Sequence, residues 1–97
     1  CPDADIDEAV EITMGGLFKN SAQRCTAIRR LVVHESIADE YAAKLTEKAS
    51  KLNYGDPYNP NNDMGTVISE EAATMMEQRV NATIAAGAKL LLGNIRQ

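Results

Sequence analysis

A thiol flanked by cations is the strongest chemical signal in this sequence. Cys25 directly follows Arg24, and Arg29 and Arg30 come shortly after it. Nearby positive charge favours thiolate over thiol, and the thiolate is the nucleophile. The plainer alternative is a structural cysteine, because free Cys is among the most buried residue types. Local chemistry alone leaves both readings open. The remaining chemistry-bearing residues form no second centre. One His (His34) and two Cys (Cys1 and Cys25) make neither a disulfide framework nor a metal-ligand cluster. A thiol-redox role would need a resolving cysteine, and none lies near Cys25.

The elements around Cys25 must present it. Asp5 with Glu8 three residues on approximates a capping box, and the acids Asp3, Asp5 and Asp7 suit a helix N-terminus. Ile6, Ala9/Val10, Thr13/Met14 and Leu17 recur at helical spacing, so a helix is expected over about 4–19. The Gly15-Gly16 pair costs about 1 kcal/mol per glycine relative to alanine inside a helix. Close packing against a neighbour, or an early helix end, has to justify it. The stretch Asn20–Cys25 reads as a turn. Ile28 to His34 is a β-branched apolar run that predicts a strand covered on both faces, with His34 at its surface-facing end.

Ser36 and Asp39 signal a second helix start. Ile37, Tyr41, Leu45, Ala49 and Leu52 mark its inner face over about 37–53. Glu40 with Lys44 and Glu47 with Lys51 are i,i+4 pairs on a solvated face. Asn53 to Asp63 is dense in turn formers and reads as an ordered surface loop. A third helix starts near Ser69, Glu70 and Glu71, with Ala72, Met75/Met76, Val80 and Thr83/Ile84 expected on its buried face. Gly87 is its expected stop, and Lys89 to Leu92 predicts a short final strand. The order α-β-α-α-β implies an α/β fold, a partial open sheet with flanking helices. Two strands make a poor sheet alone, so further strands are expected outside this sequence.

With 97 residues, 44% hydrophobic and 25% charged, the chain matches one small soluble domain with an aliphatic core. The net charge of -4 argues against a nucleic-acid partner, which would need clustered cations. No apolar run is long enough to span a bilayer, and no signal sequence opens the chain. A cytoplasmic location is therefore expected. The start at Cys1-Pro2 and the stop at Gln97 after an apolar run point to a piece of a longer protein.

Four ordered stretches resemble the aldehyde dehydrogenase superfamily. Asp3-Ala4-Asp5-Ile6-Asp7-Glu8-Ala9-Val10 is similar to D-A-D-L-D-x-A-V, and Asn20-Ser21-Ala22-Gln23-Arg24-Cys25 to N-x-G-Q-x-C. Gly55-Asp56-Pro57 with Met64-Gly65 and Ile68-Ser69 resembles G-D-P…M-G-P-x-I-S. Ala85 to Gly93 resembles G-A-K-x-L-x-G-G. The resemblance covers essentially the whole chain. It implies that residues 1–97 are part of the catalytic, nucleophile-bearing domain, and that the cofactor-binding domain lies outside this chain.

The resemblance makes Cys25 the catalytic nucleophile of an enzyme that oxidises an aldehyde to a carboxylate with NAD or NADP, through a thiohemiacetal and a thioester. The cofactor would be held mainly by parts of the protein outside this chain, and the full-length protein is expected to be a homo-oligomer. The variant Gln23-Arg24-Cys25-Thr26-Ala27 resembles phosphonoacetaldehyde and non-phosphorylating glyceraldehyde-3-phosphate dehydrogenases, which makes Arg24 and Thr26 the candidate substrate-binding residues. Two departures stand out: Ala22 replaces the usual Gly, and Thr66 stands where Pro is common. The family's general-base Glu belongs to an E-L-G-G stretch absent here, so the 97 residues alone are expected to be inactive. Aldehyde-dependent reduction of NAD or NADP by the purified chain would contradict this. A non-catalytic α/β structural or binding module with an inert cysteine is the alternative.

Overall fold

The chain divides into two units, Cys1–Thr66 and Val67–Gln97, and the computed structural model describes residues 1–96 of it. In the first, helix α1 runs Ile6–Phe18 and helix α2 runs Glu35–Ala49; the second holds helix α3, Glu70–Ala85. Asp5 caps α1 as its sequence implies, its Oδ1 accepting the Glu8 N–H at 3.0 Å. Helix α2 begins two residues earlier than expected. His34 is its N-cap, with ring Nδ1 accepting the Ser36 N–H at 3.2 Å, so its role is to start a helix.

The first unit is held by α1 packed on α2. Val10 is fully buried and Tyr41 nearly so, as the helical periodicities require. Thr13 and Tyr41, one from each helix, share a buried hydroxyl–hydroxyl hydrogen bond, which satisfies both polar groups away from water. At the rim, Asp7 and Glu11 stand one turn apart on α1 and pair with Lys44 and Lys48, one turn apart on α2. The expected Glu40–Lys44 and Glu47–Lys51 pairs form at 3.3 and 2.8 Å.

The hydrogen bond from Lys44 holds the Asp7 carboxyl below its ordinary 3.8, and the same bond raises Lys44 above 10.5. Asp7's contribution is therefore present above pH 3.8 and is lost as pH falls through its lowered value. Lys44's is present below pH 10.5 and is lost as pH rises through its raised value. Both groups are solvated, so salt weakens the link.

In the second unit, Ser69 Oγ accepts the Ala72 N–H at 3.1 Å and opens α3. Gly87 closes it at φ +108°, its N–H donating to Ile84 O at 2.9 Å while the Ala88 N–H donates to Thr83 O at 3.2 Å. This is the paired 5→2 and 6→1 closure that favours glycine at the left-handed position. Arg96 reaches back to Glu70 and Glu77. The helix face expected to be buried is open instead, with Met75, Met76 and Val80 all exposed.

The expected α/β fold, a partial open sheet with flanking helices, is overturned. Among the described residues there are three α-helices, one short 3-10 turn and no strand. Ile28–His34 and Lys89–Leu92 have strand composition but form no ladder. The one β-type contact is an isolated parallel bridge between Tyr54 and Met64. The physical reason is that a strand exists only by pairing, and apolar β-branched composition supplies side chains for a sheet but no neighbour. Val32, expected to be covered on both faces, is fully exposed.

Candidate active site

The site is built from the end of α1. The carbonyls in a helix's last turn have no intrahelical partner and need donors from elsewhere. Here the chain folds back to supply them. Ile28 N–H donates to Gly16 O at 3.1 Å, and Arg24 Nη2 approaches Gly15 O at 3.5 Å. Gly16 permits this close approach: a Cβ there would lie 2.8 Å from Ile28 Cγ1 and nearer still to Cδ1. Close packing thus justifies one member of the glycine pair. Gly15 has nothing within 4 Å of its missing Cβ.

Between α1 and Ile28 the backbone reverses through an unusual turn. Asn20, Ser21 and Ala22 have φ of 54°, 53° and 60°, three consecutive left-handed residues that are not glycine. That conformation costs roughly 1–2 kcal/mol per L-residue, with Asn tolerating it best. Such strain persists only where the surroundings over-determine it. The surroundings here are specific. Gln23 N–H donates to Asn20 O at 3.0 Å, Asn20 Nδ2 to Gln23 O at 3.3 Å, and Gln23 Nε2 to Asn20 O at 3.2 Å. Two further bonds tie the turn to the segment beyond the 53–63 loop: Ser21 Oγ to Gly65 O at 3.0 Å and Gln23 Nε2 to Thr66 O at 3.3 Å. Ala22, which stands where the resembled motif has Gly, therefore sits at a position where glycine would relieve strain.

Cys25 lies immediately after this turn. Arg24 O accepts the Ala27 N–H at 3.1 Å, closing a β-turn with Cys25 and Thr26 at its two corners. Both corner residues are exposed, and buried Ala27 anchors the turn from below. An i→i+3 turn bond uses only the N–H of the fourth residue. Among the described residues, none accepts the Cys25 N–H.

Cys25, Arg24 and Thr26 thus share one turn. Arg24 is half-buried and folds toward α1, with its Nε buried and unpartnered. Arg29 and Arg30 are exposed on the extended segment that follows. Sequence reasoning missed Ser21 and Gln23 as ties of the turn. The signal that could have found them is Ala22 in the glycine position, which implies a left-handed backbone in need of external bonds. No cluster of metal-ligating side chains occurs among the described residues, and no helix of the described residues is long and apolar enough to cross a membrane.

The aldehyde dehydrogenase family model matches residues 1–97, and the chain belongs to that family. Among particular relatives, the chain is 37% identical over 95 residues to a lactaldehyde dehydrogenase of Methanococcus aeolicus, covering 98% of this chain and 20% of that protein. It is also 37% identical over 95 residues to an NADP-dependent succinate-semialdehyde dehydrogenase of Mycobacterium leprae, covering 98% and 21%. A glyceraldehyde-3-phosphate dehydrogenase of Methanocaldococcus jannaschii, solved with NADP, superposes with TM-score 0.96 at 39% identity, over 98% of this chain and 21% of that one. A betaine aldehyde dehydrogenase of Staphylococcus aureus, solved with NAD+, gives TM-score 0.93 at 30% identity, over 98% and 19%. The chain spans about a fifth of the length of these relatives.

Proposed function

We propose that this chain is the nucleophile-bearing part of an NAD(P)-dependent aldehyde dehydrogenase, with Cys25 as the catalytic residue. The supporting observation is the exposed Cys25 at the corner of a turn whose backbone is bonded on both sides. An inert structural cysteine would be expected among buried residues. The Cys25 thiolate adds to the aldehyde carbon, forming a C–S bond and a thiohemiacetal oxyanion. The Cys25 N–H, which the turn leaves unused, is the donor this chain offers that oxyanion. Collapse of the oxyanion expels hydride and leaves a thioester on Cys25; accepting that hydride is the chemistry NAD or NADP supplies when bound. Water then cleaves the thioester, releasing the carboxylate and returning the thiolate. In this reading the dinucleotide is held mainly by parts of the protein outside this chain, so no residue here is assigned to it. The full-length protein acts in the cytoplasm as a homo-oligomer in this reading.

The preferred substrate is a short aldehyde bearing a phosphate or phosphonate, such as glyceraldehyde 3-phosphate or phosphonoacetaldehyde. Two features support this. Arg24 adjoins the nucleophile in sequence, and among the described residues its guanidinium makes one long contact, 3.5 Å from Nη2 to Gly15 O. The chain is also 39% identical to the solved glyceraldehyde-3-phosphate dehydrogenase. Thr26, on the same turn, is a second candidate donor to the anion. In the full-length protein, Arg24→Ala should lower kcat/KM for the phosphorylated aldehyde by about 10- to 100-fold, the scale of a lost charge-assisted bond. Plain aldehydes of equal length should change only a few-fold. Equal losses on both would mean that Arg24 does not read the anion.

A further inference from the structure

The Cys25 turn follows three left-handed residues, and a backbone so unfavourable locally relaxes unless something outside it holds it. Bonds within the turn, between Asn20 and Gln23, cannot fix where the turn lies relative to the rest of the unit. Two side chains do reach outside. Ser21 Oγ donates to Gly65 O at 3.0 Å, and Gln23 Nε2 divides between Asn20 O at 3.2 Å and Thr66 O at 3.3 Å. These are successive carbonyls of one segment, met by alternate residues of another. The segment they meet is itself fixed: Gly55 N–H donates to Met64 O at 3.1 Å, and Asp63 Oδ2 accepts the Asn53 N–H at 2.9 Å. On the far side of Cys25 the chain is fixed again by Ile28 N–H on Gly16 O.

We propose that Ser21, assisted by Gln23, is a positioning residue: its hydroxyl straps the left-handed turn to the Gly65–Thr66 backbone and so holds the Cys25 thiol in its reactive placement at the corner of the following turn. The proposal rests on the reading of Cys25 as nucleophile. The strap does not touch substrate. It acts through the three residues between Ser21 and Cys25, and displacements of about 1 Å transmitted this way cost up to roughly 100-fold in rate. Two substitutions separate the hydroxyl from the backbone. Ser21→Ala removes the strap and keeps the unfavourable φ. Ser21→Gly removes the strap and relieves the φ, so it folds even if the alanine variant does not.

The test follows Cys25 alkylation by iodoacetamide across pH, kcat and KM with glyceraldehyde 3-phosphate, and thermal unfolding, all in the full-length protein. Both variants are expected to lose about 10-fold or more in kcat, with KM within about threefold. Alkylation of Cys25 should slow, because the thiol leaves the placement that the strapped turn gives it. Melting temperatures should stay within a few degrees of the parent's. Parent-like alkylation curves in Ser21→Gly would overturn the proposal, since the hydroxyl would then be dispensable. A wild-type protein that alkylates readily yet oxidises no aldehyde would instead sink the dehydrogenase reading, and the alkylation curves would still decide the strap.

Discussion

Cys25→Ala in the full-length protein is expected to lower aldehyde oxidation by at least about 10,000-fold, the scale seen when a covalent nucleophile is removed. The size of the loss follows from the chemistry. Without the sulfur there is no tethered carbon from which hydride can leave and no thioester for water to cleave, so the reaction loses its whole two-step route. The structure adds a second expectation. Cys25 is exposed at a turn corner and its side chain fills no core, so the substitution should barely move the melting temperature. Activity lost without stability lost is the signature to look for. Activity within about tenfold of the parent would remove Cys25 from the mechanism.

The second large effect is expected at Gly16. Alanine in a helix interior normally gains about 1 kcal/mol over glycine. At Gly16 the added carbon would land on the Ile28 side chain, and overpacking of this kind costs about 1–3 kcal/mol. The clash falls on the side chain of Ile28, the residue whose N–H bond to Gly16 O fixes one side of the Cys25 turn. Gly16→Ala should therefore be destabilising and should also lower kcat. Gly15→Ala is the internal control. Nothing lies within 4 Å of its missing Cβ, so it should be neutral or stabilising by up to about 1 kcal/mol. Thermal unfolding and kcat of both variants check this pair. A Gly16 variant as stable and active as the Gly15 variant would show that the close approach to Ile28 has no consequence.

The helices were legible because their signals are local. Asp5 with Glu8, Ser69 before the acids, and Gly87 after the last apolar residue each act within a few residues, and each acts as expected. The start of α2 was misplaced for a related reason. His34 took the capping role that Ser36 was expected to signal, and a ring nitrogen can accept an amide as well as a hydroxyl can. The strands failed because pairing is not a local property: Leu31, Val32 and Val33 have the composition of a covered strand and no backbone partner among the described residues. The exposure of Met75, Met76 and Val80 has the same origin, since periodicity names the apolar face of α3 without supplying what covers it.

The candidate site was legible as a motif and not as a device. Cys25, Arg24 and Thr26 could be named from residue types and resemblance. The left-handed backbone of Asn20–Ala22 was foreshadowed only by the missing glycine. The strap from Ser21 to Gly65 joins residues 44 apart, beyond the reach of any spacing rule.

Cys25, exposed at its turn corner, is expected to act as an accessible nucleophile. Iodoacetamide labelling of the full-length protein against pH, with the modified residue located by peptide mass and turnover followed in parallel, tests it most directly. Rapid, selective labelling of Cys25, with activity falling in step with incorporation, is the predicted result. Slow labelling at every pH, or full turnover after Cys25 is completely alkylated, would contradict it.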